Sequence, residues 1–167
     1  YYGHDPKLVH VLDGGLKKWK KENKPTDNKE VTNQASKYIC KENTELVKNK
    51  KQIDENIKKF SFQLVDARGR KRFEGKEDEP RPGLKKGCIL GSKNIPFKDC
   101  IDSVKNTFKT KSELIQIFTQ NKVDTSKPIV FTCGSGVTAC VLGMAYSIIS
   151  DKNAVIYDGS WSEYGKK

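Results

Sequence analysis

The chain has 167 residues, 35% of them hydrophobic, which suffices for one compact core with some chain left over. Lysine and arginine number 32 against 21 acidic residues, a formal net charge of +11. The runs Lys17-Lys18, Lys20-Lys21 and Lys48-Asn49-Lys50-Lys51 lack the interleaved aromatics that stack bases, so they read as solvated helix faces and exclude nucleic acid as a partner. The longest apolar stretch, around Ala139 to Ile149, is too short to span a membrane. Cysteines at 40, 88, 100, 133 and 140 show no Cys-x-x-Cys pairing, which argues against a disulfide framework or a metal site and for a reducing, cytoplasmic setting. A chain beginning at Tyr1 reads as a fragment, so a mitochondrial address on the intact protein stays open.

In chain order, the first signal is an internal repeat. His10-Val11-Leu12-Asp13-Gly14-Gly15-Leu16-Lys17-Lys18-Trp19 shares its plan with Ile156-Tyr157-Asp158-Gly159-Ser160-Trp161-Ser162-Glu163-Tyr164. Each copy reads as a short apolar strand, an Asp-Gly turn and a helix carrying an aromatic pinned to a sheet. Residues 1–24 are therefore expected to end a preceding domain, and the polar, breaker-rich segment 25–36 to be a linker ahead of a main domain at 37–167.

Within that domain Leu46-Val47 is expected as a short strand. Asn49 should cap a helix running to Phe60, with Ile53, Ile57 and Phe60 on its inner face. Phe62 to Val65 reads as a buried strand that delivers Asp66 to the carboxyl edge of a sheet, where open α/β sheets bind ligands. Residues 67–91 read as a long charged loop, a length that usually signals function. It holds all four arginines, at 68, 70, 72 and 81, whereas lysine serves everywhere else. Arginine is needed where a planar anion must be gripped by a rigid fork, so the clustering points to a carboxylate or sulfonate site. Arg68, however, reads equally as pairing with Asp66 or a neighbouring carboxylate to hold the turn, and Arg70 as surface. Ser112 should cap a helix with Leu114, Ile115, Ile117 and Phe118 inward. Alternating strands and helices predict an α/β fold with a central parallel sheet.

The most informative stretch follows Lys127-Pro128. Ile129 to Thr132 reads as a buried strand, and after Gly136 a helix begins with Val137, Val141, Leu142, Met144, Ala145, Ile148 and Ile149 on an apolar face. Between them lies Cys133-Gly134-Ser135-Gly136. A thiol in a tight, exposed turn at a helix N-terminus meets unpaired N–H groups and the positive end of the helix dipole. Such a cradle lowers a thiol pKa from about 8.5 toward neutrality and populates the nucleophile. A phosphatase loop would need Arg six residues after the Cys, where Ala139 stands, and a nucleotide loop would need a Lys after Gly136, where Val137 stands. A smaller electrophile, with sulfur a good candidate, is what remains. Cys140, two helical turns on, reads as core.

Cys133-Gly134-Ser135-Gly136-Val137-Thr138 resembles the active-site loop of the rhodanese superfamily, in the form carried by its 3-mercaptopyruvate sulfurtransferases; thiosulfate-preferring members tend to have basic residues after the Cys. Leu64 to Arg68, Arg72-Phe73 to Pro80-Arg81, and Tyr157 to Tyr164 agree in order, so the likeness covers most of 60–164. Gly87 to Phe97 also resembles a family turn and strand, departing at Cys88 and Leu90. The resemblance implies a tandem architecture, with an N-terminal copy lacking the Cys and a C-terminal copy bearing it. It implies two-step sulfur transfer without a cofactor: from a small-molecule donor to a Cys133 persulfide, then to a thiol acceptor such as thioredoxin or a small thiol. It places Arg72 and Arg81 on the substrate carboxylate and the N–H groups of residues 134–138 (Gly134, Ser135, Gly136, Val137, Thr138) around the sulfur. Ser135 is expected either to donate to the departing enolate or merely to fill the turn, Thr138 to cap the helix, and Asp66 to orient the arginines. A thiosulfate sulfurtransferase and a non-catalytic sulfur-carrier module are the competing classes. The only histidines, His4 and His10, lie in the leading segment and no general base is assigned, so the chain by itself should form persulfide slowly or not at all.

Overall fold

The computed structural model describes residues 1–167. A short helix α1 (Gly15–Lys21) precedes a stretch without regular structure, and a 3₁₀ turn at Thr44–Leu46 leads into strand β1 (Val47–Lys48). Helix α2 (Lys50–Lys59), strand β2 (Gln63–Asp66), the one-turn helix α3 (Arg70–Phe73) and strand β3 (Lys93–Asn94) follow. Then come helix α4 (Lys111–Gln120), strand β4 (Ile129–Thr132), helix α5 (Val137–Ile149), strand β5 (Val155–Tyr157) and helix α6 (Ser160–Tyr164). The five strands form one all-parallel sheet in the order β1-β5-β4-β2-β3, which meets the expectation of a parallel α/β fold.

Residue alternation along the central strands assigns the two faces. Val65 and Phe131 join Leu114, Phe118, Leu142, Ala145 and Tyr146 on one side, while Leu64 and Val130 join Ile53, Ile89, Tyr157 and Trp161 on the other. Both faces are covered, as a purely parallel sheet requires. Phe118, Phe131 and Tyr146 form an aromatic trio with ring centroids 5.6–6.4 Å apart. β2 and β4 pair along four residues, from Gln63 with Ile129 to Asp66 with Thr132. Asp66 and Cys133 thereby emerge at the same sheet edge.

Several local expectations change. The 10–12 segment forms no strand, because no neighbouring strand offers it hydrogen bonds. β1 is shifted one residue, to Val47–Lys48, since Leu46 closes the 3₁₀ turn. Asn49 does cap α2, in a capping box with Gln52, but Phe60 is 72% exposed at a left-handed residue that ends the helix. The α4 cap is Thr110 rather than Ser112: Thr110 pairs with Glu113 in a capping box, which Ser112 could not form with its own third residue, Ile115. Ile115 is exposed, and so are Val137 and Met144 on α5. The 67–91 loop contains α3, which turns Arg72 back toward β4.

The leading segment packs lightly. Asp13 accepts from the Phe108 N–H at 2.9 Å, Lys21 donates to the Val104 carbonyl, and Trp19 donates to the Pro25 carbonyl rather than standing on a sheet. Every buried residue lies between Ile53 and Gly165. No helix is long and apolar enough to cross a membrane.

Burial in this core has a consequence for pH. The Cys100 thiol is pushed up from 9.0 to about 12, by burial first, with Asp99 adding and Lys109 opposing. A thiol that holds its proton more tightly when folded leaves stability intact below its unfolded pKa and removes it as pH climbs toward the folded one. Between pH 9 and 12 wild-type stability should therefore fall by up to about 1.4 kcal/mol per pH unit through this group. Cys100→Ala should flatten that decline in urea titrations at pH 8, 9.5 and 11; parallel curves for the two proteins would contradict it.

Candidate active site at the β4–α5 turn

Cys133 follows β4 directly, and α5 begins at Val137 with Gly136 as its N-cap. Gly136 has φ +82°, and a Cβ there would stand 2.7 Å from Asp158 Oδ1, so the turn requires glycine. The Ser135 N–H donates to Cys133 Sγ at 3.4 Å. The cysteine is 2% exposed, so the expected exposed turn is corrected to a thiol seated under its own loop, between half-buried Gly134 and the core. Thr138 lies inside α5 and does not cap it, because Gly136 occupies the cap position and α5 has no side-chain cap. Val137, Thr138 and Ala139 begin the helix and so have no carbonyl of α5 for their N–H groups.

Helix α6 grips this loop from the other side. The N–H groups of Trp161 and Ser162 donate to the carbonyls of Cys133 (2.9 Å) and Gly134 (2.8 Å), and the Ser162 hydroxyl also bonds the Gly134 carbonyl. Ser160 Oγ accepts from the N–H of Cys133 at 3.2 Å and of Gly136 at 3.0 Å, and it donates to the Tyr157 carbonyl at 2.8 Å. The Gly136 N–H is thus committed to Ser160, so the expected ring of five amides around the sulfur is incomplete.

The arginines divide as their surroundings dictate. Arg68 is 1% exposed and spends its fork on both Asp66 oxygens, Glu79 Oε1 at 2.7 Å and the Gly87 carbonyl at 2.8 Å. Its guanidinium carbon lies 4.5 Å from the centre of the Trp161 ring. Burial works to lower its pKa, but the Asp66 hydrogen bonds and the Asp66 and Glu79 charges outweigh that and raise it. Arg72 donates to the other Glu79 oxygen at 2.5 Å and stays one-quarter exposed. A Cβ on Gly134 would stand 3.1 Å from an Arg72 nitrogen, so this guanidinium lies over the loop. Arg81 donates to Ser162 Oγ at 2.9 Å, one residue contact from Gly134. Arg72 therefore borders Gly134 directly and Arg81 reaches it only through Ser162, while Arg70 points to Asn121 at 3.4 Å on the surface. Asp66 orients Arg68 alone; the carboxylate that holds Arg72 is Glu79, because Arg68 already saturates Asp66 and reaches across to share Glu79.

Three residues escaped the sequence reading. Glu79 was hidden among the acidic residues 74–79, although four arginines nearby called for a buried counter-charge. Ser160 and Ser162 lie in the second copy of the repeat, and no local pattern ties them to a loop more than 20 residues earlier. Cys140 is also corrected: it is exposed, with Sγ donating to the Gly136 carbonyl at 3.4 Å. Its thiol is pushed up by burial of the sulfur first, then by Cys133 and Asp158. His4 stacks near Tyr38, with ring centroids 5.6 Å apart, and gives the Cys133 loop no base. A cleft of about 670 Å³ lies elsewhere, between Val11–Gly15 and α5.

Comparison with known proteins gives the chain its family. The family model described as a rhodanese-like domain matches residues 49–167. The chain belongs to the rhodanese-like domain family. Among curated relatives, it is 39% identical over 163 residues to 3-mercaptopyruvate sulfurtransferase of Homo sapiens, covering 98% of this chain and 54% of that protein. It is 38% identical over 168 residues to thiosulfate sulfurtransferase of Mus musculus, covering 99% of this chain and 55% of that one. Among solved structures, the rhodanese-fold 3-mercaptopyruvate sulfurtransferase SseA from Escherichia coli aligns with a TM-score of 0.81 at 31% identity, over 97% of this chain and 59% of that one. The rhodanese-like chain thus spans about half the length of the curated relatives it matches.

Proposed function

We propose that this rhodanese-like chain transfers sulfur from 3-mercaptopyruvate to a thiol through a persulfide on Cys133. The observation that carries the reading is the convergence at Gly134. A thiol with an N–H aimed at its sulfur lies beneath one peptide, Arg72 lies over that peptide, and Arg81 is tied to Ser162, whose N–H and hydroxyl hold its carbonyl. In the first step Cys133 sulfur attacks the donor sulfur. The carbon–sulfur bond breaks, its electron pair leaves with carbon as the enolate of pyruvate, and a proton from solvent completes pyruvate. In the second step an acceptor thiolate attacks the outer sulfur of the persulfide and releases Cys133. The Ser135 N–H stabilises negative charge on Cys133 Sγ, and Arg72 and Arg81 hold the donor carboxylate as fixed, charge-assisted donors. Ser135 Oγ makes no hydrogen bond within the protein, which leaves it available to the departing enolate.

Residues 1–24 are read as the end of a preceding domain of the same kind, joined by 25–36. α1 and α6 begin at corresponding positions of the repeat, Gly15 and Ser160, which supports that reading. A base supplied from outside this chain then explains why it should react slowly alone. Thioredoxin or a small thiol is the proposed acceptor, and the cytoplasm the proposed site of action.

Thiosulfate is the second donor to consider, because a relative named for it is nearly as similar as the one named for mercaptopyruvate. The loop here carries Gly-Ser-Gly rather than basic residues after the Cys, which favours mercaptopyruvate. Initial rates of persulfide formation with each donor at equal concentration decide the matter. Faster reaction with 3-mercaptopyruvate is expected; faster reaction with thiosulfate would reverse the assignment.

A further inference from the structure

The internal repeat contains a difference that its backbone does not ask for. Where the first copy reads Asp13-Gly14-Gly15, the second reads Asp158-Gly159-Ser160. Gly15 has φ +55° and Ser160 has φ +49°, so both copies enter their helix through a left-handed residue. Glycine adopts that conformation freely, whereas a residue with a Cβ is strained in it. Only the copy followed spatially by a cysteine loop has the side chain.

That side chain is fully buried, and its hydroxyl is saturated. One donor and two acceptor lone pairs are all that a serine offers. The proton goes to the Tyr157 carbonyl, and the oxygen faces the N–H groups of Cys133 and Gly136, with Thr132 Oγ1 a further 3.3 Å neighbour. These two N–H groups flank the nucleophile and the helix cap, while Trp161 and Ser162 take the carbonyls of Cys133 and Gly134. Both ends of the loop are therefore tied to the start of α6. Of the two N–H groups left between them, those of Gly134 and Ser135, the second is the one that meets Sγ.

We infer that Ser160 is a positioning residue for the Cys133 nucleophile: its buried hydroxyl fixes the loop so that the Ser135 N–H stays on the sulfur. It touches no reacting atom. Preorganised donors act only when the structure holds them in place before reaction, and a left-handed serine is retained to do that holding. The inference rests on Cys133 being the reactive thiol of the proposed transfer.

The test pairs Ser160→Gly with Ser160→Ala. Both remove the hydroxyl, but only glycine also relieves the backbone. Site-resolved alkylation of Cys133 by iodoacetamide is followed against pH in each folded variant. The rate near neutral pH should fall about tenfold in both variants alike, although their thermal midpoints differ. Wild-type profiles in both variants would overturn the inference, since a purely structural serine would alter melting alone. Should the variants not fold, amide exchange in the wild type decides: protection of the Cys133 and Gly136 amides relative to Ser135 is expected, and equal exchange overturns it. Alkylation uses no sulfur donor. Loss of donor-dependent persulfide in the wild type would thus defeat the transfer reading without touching this one. Persulfide formed at the wild-type rate by Ser160→Gly would defeat this one alone.

Discussion

Arg68→Met should cost the fold about 3–5 kcal/mol, a large part of the total stability of a domain this size. The reason is what the substitution leaves behind. Asp66 is 1% exposed and the Glu79 side chain 2% exposed, so removing the guanidinium strands the first carboxylate in the interior and leaves the second with Arg72 alone. It also strips the cation from the Trp161 ring and the donor from the Gly87 carbonyl. Arg68→Lys should recover little, because an ammonium cannot reproduce a fork that reaches Asp66, Glu79 and Gly87 together. Arg70→Met, on the exposed side of α3, is the control and should change the unfolding free energy from urea titration by less than about 0.5 kcal/mol. Equal midpoints for the Arg68 and Arg70 variants would show that the buried network contributes no net stability. The loss should also loosen the active loop, since Glu79 would then hold Arg72 without its second partner.

Arg72→Met should leave the fold intact and weaken donor binding. Arg72 lies over Gly134 and is one-quarter exposed, so its replacement strands only the Glu79 oxygen that Arg68 does not use. Hydrogen bonds to a charged group contribute about 1.5–3 kcal/mol each. Losing the guanidinium edge that Glu79 does not occupy should therefore raise the half-saturating concentration of 3-mercaptopyruvate by up to about a hundredfold. Because the carboxylate does not react, the effect should fall on saturation more than on the limiting rate of persulfide formation. Arg81, exposed and tied only through Ser162, should show a smaller rise of about tenfold. An unchanged saturation curve in Arg72→Met would remove the guanidinium from the substrate site.

How much of this could be read from the sequence depends on how local each feature is. Strand β4, the loop and α5 follow one another in the chain, so a branched run, a glycine turn and an apolar helix were enough to place Cys133 at a sheet edge. The same holds for the Asn49 cap, whose partner Gln52 is three residues away. The depth of the sulfur was not legible, because it is set by Arg72 and α6 closing over the loop from far along the chain. The Asp66–Arg68–Glu79–Arg72 network depends on α3, four residues with no strong helical signal of their own. Capping by Thr110 instead of Ser112 turned on which hydroxyl has a carboxylate three residues ahead. Ser160 was invisible because its role is defined by N–H groups 24 and 27 residues earlier, and by a backbone angle that serine rarely adopts.

The most direct measurement is the intact mass of the wild-type chain and of Cys133→Ser after prolonged exposure to excess 3-mercaptopyruvate under anaerobic conditions. The wild type should gain one sulfur atom, removable by a thiol and located on the peptide bearing Cys133, while the variant gains none. A sulfur that accumulates equally on Cys133→Ser, or on Cys140 or Cys88 in the wild type, would contradict the assignment of Cys133 as the atom that carries the transfer.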